Sequence, residues 1–478
     1  MDDQNVKIEK NERQAQSPRP ATWLGFDAND VENVTLVKKG RLWGTLRRGD
    51  RSVDTEDPKG GYIPGRFVKI KFQREDSSFD DSLERIVVIT GSITKKFSEF
   101  SREELRSLLM ECESGEECFD YIRSKYSDFK ADEIVTAVKF EYIEDLKNAE
   151  DLLRTGIFNI AKSPMENPQD INADKYTLPL LAKDYPARTA RLWNSAYKHF
   201  GIDTKNVMMI ANPDDVEYIL KVLKIDDKYQ GGGCGVGFKE KAFRFVDELD
   251  NKVAAIKSLN YVKKNAEGKL IGYNTDGEGY VKGLEKLLEK NGDVIRGKRV
   301  LMIGAGGTAN AIAFALIDKG ANIFIANRTI ANAEELVKDI NSFYSLQESE
   351  RVAFGGEDTI AFKAARADII VNVSRKGEIG EMQNYCALAK AEGDITKNIS
   401  ESEKVFNALS RDCIITDVIL RKEGEDTPLI HMAKERGLKT QNGLPMVVYQ
   451  AAIIFSKIYS LPLDEVTKVM EEVENLDF

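Results

Sequence analysis

Apolar residues fall in short runs that alternate with longer helical patterns from about Tyr176 to the C-terminus. The clearest run is Val300–Ile303, which is followed by a glycine-rich turn, a helical segment and a second apolar run ending at Ile325-Ala326. Short apolar runs bounded by turn residues are typical of buried strands, and their alternation with helices is typical of parallel sheets. The pattern therefore predicts an α/β fold over this part of the chain.

The first third of the chain has a different pattern, in which glycine and proline interrupt β-type runs at 67–72 and 86–90. These runs predict strands. Ser101 and Glu104 have the spacing of a capping box, which predicts a helix after them, and a further strand and helix fit 133–153. Two prolines and several Asn and Asp residues make Lys162–Tyr176 the expected linker. We therefore expect a smaller α+β domain at 21–165, after a disordered tail at 1–20.

The turn after Val300–Ile303 has the chemistry of a dinucleotide-binding loop. Gly304 permits a tight turn, Gly306 permits close approach of a pyrophosphate, and the small Ala309 lets a helix meet the sheet. Where NAD sites place an acidic residue after the second strand, this chain has Asn327 and Arg328, and a guanidinium suits a 2'-phosphate. The segment predicts NADP rather than NAD. The alternative is that the glycines merely make a strand-to-helix turn.

Composition limits the kinds of partner. The 478 residues are 42% hydrophobic and 31% charged, as in globular proteins, and the net charge of -10 argues against nucleic acid or an anionic membrane. Five cysteines without a Cys-x-x-Cys pair indicate neither a zinc site nor a disulfide framework, which fits a reducing cytoplasm. The polar N-terminus lacks a secretory signal, and the most apolar stretch, Met446–Phe455, is too short to span a bilayer. We expect a cytoplasmic protein that binds a small molecule and no metal, and a homo-oligomer remains open.

A lysine and an aspartate are the candidate catalytic groups. Lys239 ends the glycine-rich loop Gly231–Gly237 and begins a segment predicted to be an amphipathic helix as far as Leu249, while Asp276 ends a strand and opens a second helix. A nicotinamide-dependent dehydrogenase needs a group that exchanges the hydroxyl proton while hydride moves, and a Lys–Asp pair within hydrogen-bond reach can do this. The alternatives are that Lys239 is a solvated lysine and that Asp276 is only an N-cap.

Six motifs in this order resemble those of the shikimate dehydrogenase family, over roughly Leu178–Leu476. They are the loop ending in Lys239, Asn274–Gly277, Gly304–Ala309, Asn327–Thr329, Val371–Ser374 and Asn442–Ala451. The resemblance implies a two-domain α/β fold with a cleft between the domains: a substrate domain at 176–292 and 443–478, and an NADP-binding Rossmann domain at 293–442. It also implies a cytoplasmic enzyme of the chorismate pathway of aromatic amino acid biosynthesis.

The same resemblance implies roles for individual residues. Lys239 and Asp276 correspond to the catalytic pair. The residues that correspond to substrate contacts are Thr189, Asn260 and Gln450. Those that correspond to the NADP site are Gly304, Ala305, Gly306, Gly307, Thr308, Ala309, Asn327, Arg328, Thr329, Val373, Gly443 and Met446.

The substrate pocket departs from the family pattern. The Ser-x-Ser element that holds the substrate carboxylate is here Ala187-Arg188-Thr189, so one hydroxyl is lost; Arg188 or Arg191 could replace it, or either could be solvated. The family's Asn-Val-Thr is replaced by Gly233-Cys234-Gly235, and its Val-Tyr-Asn-Pro by 418–421. Loss of hydroxyl partners is expected to loosen or redirect specificity.

These features lead us to expect reduction of 3-dehydroshikimate or a relative. A quinate-type dehydrogenase and a regulatory protein that binds ligand or NADP without catalysis are the alternatives. A type I dehydroquinate dehydratase in the first third is disfavoured, because its mechanism needs a histidine and the chain's two histidines are His199 and His431. About 160 residues are also too few for a barrel of ~250 residues. We expect both histidines to be structural.

Overall fold

The computed structural model describes residues 23–27, 44–48, 61–106, 120, 123–124, 127–161, 173–183, 188–250, 252–290, 292–346, 351–421 and 425–476. The expected tail at 1–20 and most of the expected linker lie outside these residues. The chain divides into two compact units, Met1–Asn159 and Ile160–Phe478. Among the described residues, no helix has the length and apolar character needed to cross a membrane.

The first unit contains a five-stranded sheet of order β1-β3-β4-β5-β2, in which β1 and β3 are parallel and the other neighbours antiparallel. Its elements are β1 (Trp23–Asp27), β2 (Gly44–Arg48), β3 (Phe67–Gln73), β4 (Arg85–Lys96), α1 (Arg102–Arg106), β5 (Ile134–Tyr142) and α2 (Ala149–Arg154), with β6 (Asn159–Ile160) at the border of the units. The predicted strands therefore lie in β3 and β4. The capping box forms as expected, with the Ser101 N–H donating to Glu104 Oε2 at 2.7 Å and the Glu104 N–H donating to Ser101 Oγ at 3.2 Å. Residues 107–119, which follow this helix, lie outside the described residues.

The second unit begins with short strands and helices around a four-stranded sheet of order β11-β13-β14-β12. Its elements as far as residue 289 are β7 (Tyr176–Thr177), β8 (Leu180–Leu181), α3 (Thr189–Phe200), β9 (Lys205–Asn206), β10 (Met209–Ile210), α4 (Val216–Ile225), β11 (Gly231–Gly233), α5 (Lys239–Ala242), β12 (Glu248–Leu249), α6 (Val253–Ile256), β13 (Tyr261–Lys264), β14 (Leu270–Tyr273) and α7 (Asp276–Glu289).

Two details of this region correct the sequence interpretation. Gly231–Gly233 is a strand, paired antiparallel with β13, rather than part of a loop. The helix that begins at Lys239 ends at Ala242 and does not continue to Leu249. The reason is tertiary: Leu249 pairs with Gly272 in a parallel ladder, and the Asp247 carboxylate accepts the Leu270 N–H at 2.7 Å, so strand pairing overrides the helical pattern.

A six-stranded, fully parallel sheet of order β17-β16-β15-β18-β19-β20 follows. Its elements are β15 (Arg299–Ile303), α8 (Gly307–Asp318), β16 (Asn322–Ala326), α9 (Ile330–Tyr344), β17 (Val352–Gly355), α10 (Ile360–Ala364), β18 (Ile369–Asn372), α11 (Ile395–Phe406), β19 (Ile414–Asp417), α12 (Pro428–Glu435) and β20 (Lys439–Gln441). Met302, Ile325 and Ile369 are fully buried in one apolar cluster with Ile312 of α8. Burial on both faces is typical of parallel sheets, and it explains the continuous apolar runs of these strands.

Two C-terminal helices, α13 (Leu444–Tyr459) and α14 (Leu463–Glu474), pack against α7 and α3. Phe455 of α13 makes an edge-to-face contact with Trp193 of α3, with ring centroids 5.0 Å apart. A Cβ on Gly279 of α7 would stand only 2.5 Å from the backbone nitrogen of Gln450, so the glycine allows the two helices to approach closely. The predicted α/β class is confirmed. The boundaries at 292 and 443 between the predicted substrate domain and the predicted NADP-binding domain stay predictions.

Candidate active site

Lys239 and Asp276 form an ion pair between the first residues of α5 and α7. Their side chains are only 15% and 5% exposed, so the pair is shielded from solvent. The N-cap of α7 is Thr275, and its side chain makes no capping bond. Lys239 is therefore not simply a solvated lysine, Asp276 is not simply an N-cap, and the pair has the reach that proton transfer requires.

Asn260 holds Asp276 from the start of β13. Its amide nitrogen lies 3.0 Å from Asp276 Oδ1, 3.0 Å from Gln450 Oε1 and 3.2 Å from Thr275 Oγ1, and its Oδ1 accepts the Thr275 N–H at 3.1 Å. The Thr275 hydroxyl donates to the Gln450 carbonyl at 3.0 Å. Four residues singled out in the sequence, Lys239, Asn260, Asp276 and Gln450, thus lie in one hydrogen-bonded group drawn from four segments of the chain.

Arg188 and Arg191 were expected either to bind the substrate carboxylate or to be solvated. The structure gives them a third environment. Arg188 and Arg191 both pair with Glu474 of α14, whose side chain is fully buried; Arg191 Nε donates to its Oε1 at 3.1 Å. Neither guanidinium is simply solvated, and the carboxylate that both bind belongs to the protein rather than to a substrate. Thr189 is the first residue of α3 and is half-buried. In the described part of the chain, no hydrogen bond links it to the Lys239–Asp276 pair.

The glycines before Lys239 differ in the space around them. A Cβ on Gly232 would stand 1.9 Å from the Leu178 carbonyl oxygen, so that position tolerates no side chain. A Cβ on Gly233 would meet Pro179 at 3.7 Å and the Asn260 carbonyl oxygen at 3.8 Å, which are ordinary contacts. Burial raises the pKa of the intervening Cys234 to about 12, so its thiol stays neutral and is a poor nucleophile. The backbone at Gly233 could therefore accept a side chain.

The glycine-rich turn after β15 leaves the start of α8 without a side-chain cap. Gly304 has a φ of 121°, and a Cβ there would stand 2.7 Å from the Val373 carbonyl carbon. A Cβ on Gly306 would meet nothing within 4 Å, and no side chain caps the helix. The first-turn N–H groups and the helix dipole favour a negatively charged ligand at such an end. Ala309 is 1% exposed and packs in the core, as expected of a small residue between helix and sheet.

The other candidate cofactor residues follow neighbouring strands. Ile303 of β15 pairs with Ala326 of β16, so Asn327, Arg328 and Thr329 follow at the same edge of the sheet as Gly304. Asn327 Nδ2 donates to the Thr329 carbonyl at 2.8 Å, and Arg328 is exposed. The remaining candidates in this region are the half-buried Val373 after β18, Gly443 before α13, and Met446, which packs in the same core cluster as Val373. Ala305 and Thr308 are half-buried in the turn and in the first turn of α8.

A buried hydrogen-bond network around Asp417, at the carboxyl ends of β18 and β19, is not predicted by the sequence analysis. Asp417 Oδ1 accepts from Asn372 Nδ2 at 3.1 Å and from the Ile419 N–H at 3.0 Å, and its Oδ2 accepts from the Thr427 hydroxyl at 2.7 Å. Burial raises the pKa of Asp417 to about 7 despite these bonds. The available signal was a polar residue at the end of each of two neighbouring strands, β18 and β19. Such ends line the ligand crevice of open α/β sheets.

The two histidines are outside this network. His199 lies on the exposed side of α3 with its ring against Phe200, and His431 on α12 is 3.4 Å from Glu435. Neither contacts the Lys239–Asp276 pair among the described residues. The expectation that both histidines are structural stays a prediction.

Known proteins match most of the second unit. Residues 186–262 match the family described as the shikimate dehydrogenase substrate binding domain, and residues 286–378 match the family described as shikimate / quinate 5-dehydrogenase. A protein of Methanocaldococcus jannaschii named shikimate dehydrogenase (NADP(+)) is 33% identical, over 55% of this chain and 83% of that protein. One of the same name from Alkaliphilus metalliredigens is 31% identical, over 60% of this chain and 93% of that protein.

Solved structures agree on the fold. A crystal structure of a shikimate dehydrogenase in complex with NADP+ has a TM-score of 0.51 at 26% identity, and it covers 65% of this chain and 99% of the other. A quinate dehydrogenase of Corynebacterium glutamicum in complex with NAD has a TM-score of 0.50 at 21% identity, over 63% of this chain and 99% of the other, and shows the fold alone. The fold therefore does not choose between the two substrates. The family matches and the relatives above 30% identity do establish the family, and the chain belongs to the shikimate dehydrogenase family.

Proposed function

We propose that this protein is an NADP-dependent oxidoreductase that interconverts 3-dehydroshikimate and shikimate or a closely related hydroxylated cyclic acid. The observation that carries the proposal is the shielded Lys239–Asp276 ion pair, held by Asn260. It lies in a chain that is 31–33% identical to proteins named shikimate dehydrogenase (NADP(+)). A paired lysine supplies the proton exchange that carbonyl reduction needs.

The residues of the pair have complementary tasks in the proposed reaction. Bound reduced nicotinamide supplies the hydride to the carbonyl carbon of the ring ketone. The Lys239 ammonium gives a proton to the oxygen as negative charge develops on it, and in the reverse direction neutral Lys239 accepts the proton of the substrate hydroxyl. Asp276 positions the ammonium and stabilises its charge. A group in this role contributes typically ~10²–10⁴-fold to the rate.

The dinucleotide is proposed to bind across the start of α8. Gly304, Gly306 and Gly307 bring no side chains of their own to the turn, the Glu240 carboxylate lies beside Gly307, and the uncapped helix end suits the diphosphate. Arg328 is exposed after the neighbouring strand, where a guanidinium can bind a 2'-phosphate bidentately. These residues fit NADP. The assignments of Thr189, Asn260 and Gln450 to the substrate are proposals of the same kind.

A relative of shikimate is the second candidate substrate, and the glycine at 233 favours it. The backbone there has room for a side chain, yet the chain provides none, so a polar partner for a substrate hydroxyl is lost. Sites that hydrogen-bond a substrate hydroxyl discriminate strongly, and removing a partner weakens that discrimination. Quinate is the first compound to compare.

Steady-state kinetics with NADP+ and either shikimate or quinate test the proposal. A higher kcat/KM with shikimate supports the first assignment, and a higher value with quinate supports the second. Binding of NADP+ without reduction in the presence of either acid would contradict the enzymatic proposal and would favour a ligand-binding role.

A further inference from the structure

Lys257 has a backbone conformation that residues other than glycine rarely adopt. It caps the C-terminus of α6 with a φ of 56° and a ψ of 26°, and its N–H donates to the Val253 carbonyl oxygen at 2.9 Å. Glycine is the usual residue at such a left-handed helix end, because a Cβ is unfavourable there. A lysine persists in this conformation only where its surroundings hold it, and such positions cluster at functional sites.

The side chain of Lys257 joins α6 to α9, the helix that connects β16 to β17. Its ammonium nitrogen lies 3.0 Å from Glu335 Oε1 and 2.7 Å from Asp339 Oδ2. Glu335 and Asp339 are four residues apart, so the two carboxylates lie on the same face of α9. Their hydrogen bonds, first that of Asp339 and then that of Glu335, raise the pKa of Lys257, so the ammonium stays charged near neutral pH.

The same short segment, 252–257, also contacts α8. Asn310 Nδ2 of α8 donates to the Ile256 carbonyl oxygen at 3.1 Å, and Lys252 pairs with Asp318, the last residue of α8, at 2.5 Å. Ile256 is buried in the apolar cluster that contains the core residues of α8. An exposed ion pair alone contributes little, but here ion pairs, a hydrogen bond and apolar packing join the same elements. The segment therefore connects the four-stranded sheet to two helices of the six-stranded sheet.

The residues that follow Lys257 hold the catalytic pair. The Leu259 N–H donates to the Lys239 carbonyl oxygen at 3.2 Å, and the Asn260 amide nitrogen lies 3.0 Å from Asp276 Oδ1. A very short stretch of chain thus separates the contact with α9 from both members of the pair. A change in the position of Lys257 is therefore transmitted to the pair through the backbone.

We propose that Lys257 is a positioning residue that, through Glu335 and Asp339, sets the orientation of the Lys239–Asp276 pair relative to the bound dinucleotide. This inference rests on the proposed function, because α8 and α9 begin at the turns proposed to hold the diphosphate and the 2'-phosphate. Hydride and proton reach the same carbonyl group in that reaction. The rate therefore depends on the distance between the nicotinamide and the pair.

The first test compares Lys257→Gly with wild type in the full chain, with NADP+ and whichever of shikimate and quinate the wild type oxidises faster. Glycine adopts the left-handed conformation without strain but cannot pair with α9. We expect kcat to fall roughly five-fold, because small misplacements of reacting groups slow a reaction. The dissociation constant for NADP+ should change little. The melting temperature should also change little, since relief of strain offsets the loss of exposed ion pairs.

Three further variants separate positioning from general effects of substitution. Lys257→Arg keeps the charge and should retain a kcat near that of wild type. The double variant Glu335→Gln/Asp339→Asn keeps the lysine and should reproduce the fall. Ser460→Gly makes the same relief of strain at the C-cap of α13, where φ is 53°, and should leave kcat unchanged. A wild-type kcat in folded Lys257→Gly would overturn the inference and leave the proposed function intact.

A measurement without turnover separates the inference from the proposed function. Spin labels at the exposed Lys198 of α3 and Lys404 of α11, attached through an introduced keto amino acid, report the distance between the two sheet regions. Lys257→Gly should broaden the distribution of this distance, and an unchanged distribution would overturn the inference. If wild type reduced NADP+ with neither acid, the proposed function would be wrong, and the label distances would still decide whether Lys257 holds the two regions together.

Discussion

Lys239 and Asp276 are 37 residues apart in the chain, yet each is the first residue of a helix and their side chains pair in a shielded position. Strand pairing produces this arrangement. The Leu259 N–H donates to the Lys239 carbonyl at 3.2 Å, and the Asn260 N–H donates to the Tyr273 carbonyl at 2.9 Å. The two backbone bonds join the start of α5 to the strand end that precedes Asp276.

Asp276→Asn is expected to lower kcat by about 10² or more, because the amide no longer stabilises the Lys239 ammonium. The affinity for NADP+ should change little, since Asp276 is proposed to act on the proton and not on the dinucleotide. Stopped-flow and steady-state absorbance of reduced nicotinamide measure the first quantity, and calorimetry measures the second. Glu278→Gln, at an exposed position of the same helix, is the control. An unchanged kcat in folded Asp276→Asn would exclude the proposed role.

Arg328→Ala should weaken binding of NADP+ roughly ten-fold or more and leave binding of NAD+ nearly unchanged, because only NADP+ carries the 2'-phosphate that a guanidinium binds. Titration of each dinucleotide gives the two ratios. Arg366→Ala, an exposed arginine elsewhere in the same parallel-sheet region, controls for general loss of positive charge. Equal losses for both dinucleotides would rule out the 2'-phosphate role.

Glu474→Gln should reduce the free energy of unfolding by about 3 kcal/mol, because it leaves Arg188 and Arg191 without their buried carboxylate. The value lies at the low end for broken buried ion pairs, since Arg191 is 39% exposed and partly solvated. Urea unfolding measures the loss. The exposed Glu472 gives the matched variant Glu472→Gln, expected within about 0.5 kcal/mol of wild type. Similar stabilities for the two variants would show that the ion pairs of Glu474 with Arg188 and Arg191 do not hold α14 to α3.

Asp417 should make stability depend on pH. Its pKa is about 7 in the folded protein against an ordinary 3.8, so between these values the folded state retains a proton that the unfolded state releases. The free energy of unfolding therefore falls as pH rises through this window, by up to about 1.4 kcal/mol per pH unit. In Asp417→Asn this contribution disappears, and the amide oxygen can still accept from Asn372 Nδ2 and from the Ile419 N–H. Urea unfolding from about pH 5 to 8 should show that the free energy of unfolding of the variant increases relative to that of wild type as pH rises. A difference between the two proteins that does not change with pH would exclude this role of Asp417.

The sequence predicts the parts of this structure whose information is local. Val300–Ile303 with its glycine turn predicts strand, turn and helix, and the Asn274–Gly277 motif predicts a strand end before a helix, as the structure has them. The motif order also predicts the family. Local patterns suffice here because strand burial, turn geometry and helix starts depend on neighbouring residues.

Other features depend on partners far along the chain. Arg188 and Glu474 are 286 residues apart, and no local pattern assigns the one to the other. Lys376 is nearly buried, with its ammonium 2.8 Å from Glu357 and donating to the Ala387 and Ala389 carbonyls, although a lysine in sequence indicates a solvated position. Leu249 similarly fits a helical pattern in the sequence, but in the structure it pairs with Gly272 of β14. Tertiary contacts decide each of these cases.

We propose that Lys239 transfers the proton in an NADP-dependent reaction of a hydroxylated cyclic acid. The most direct test is the absorbance of reduced nicotinamide after purified protein is mixed with NADP+ and shikimate, and in parallel with quinate. Wild-type protein and Lys241→Ala, an exposed lysine of the same short helix, should produce reduced nicotinamide with at least one acid, whereas folded Lys239→Ala should be slower by ~10² or more. Turnover by Lys239→Ala at the wild-type rate would contradict the account.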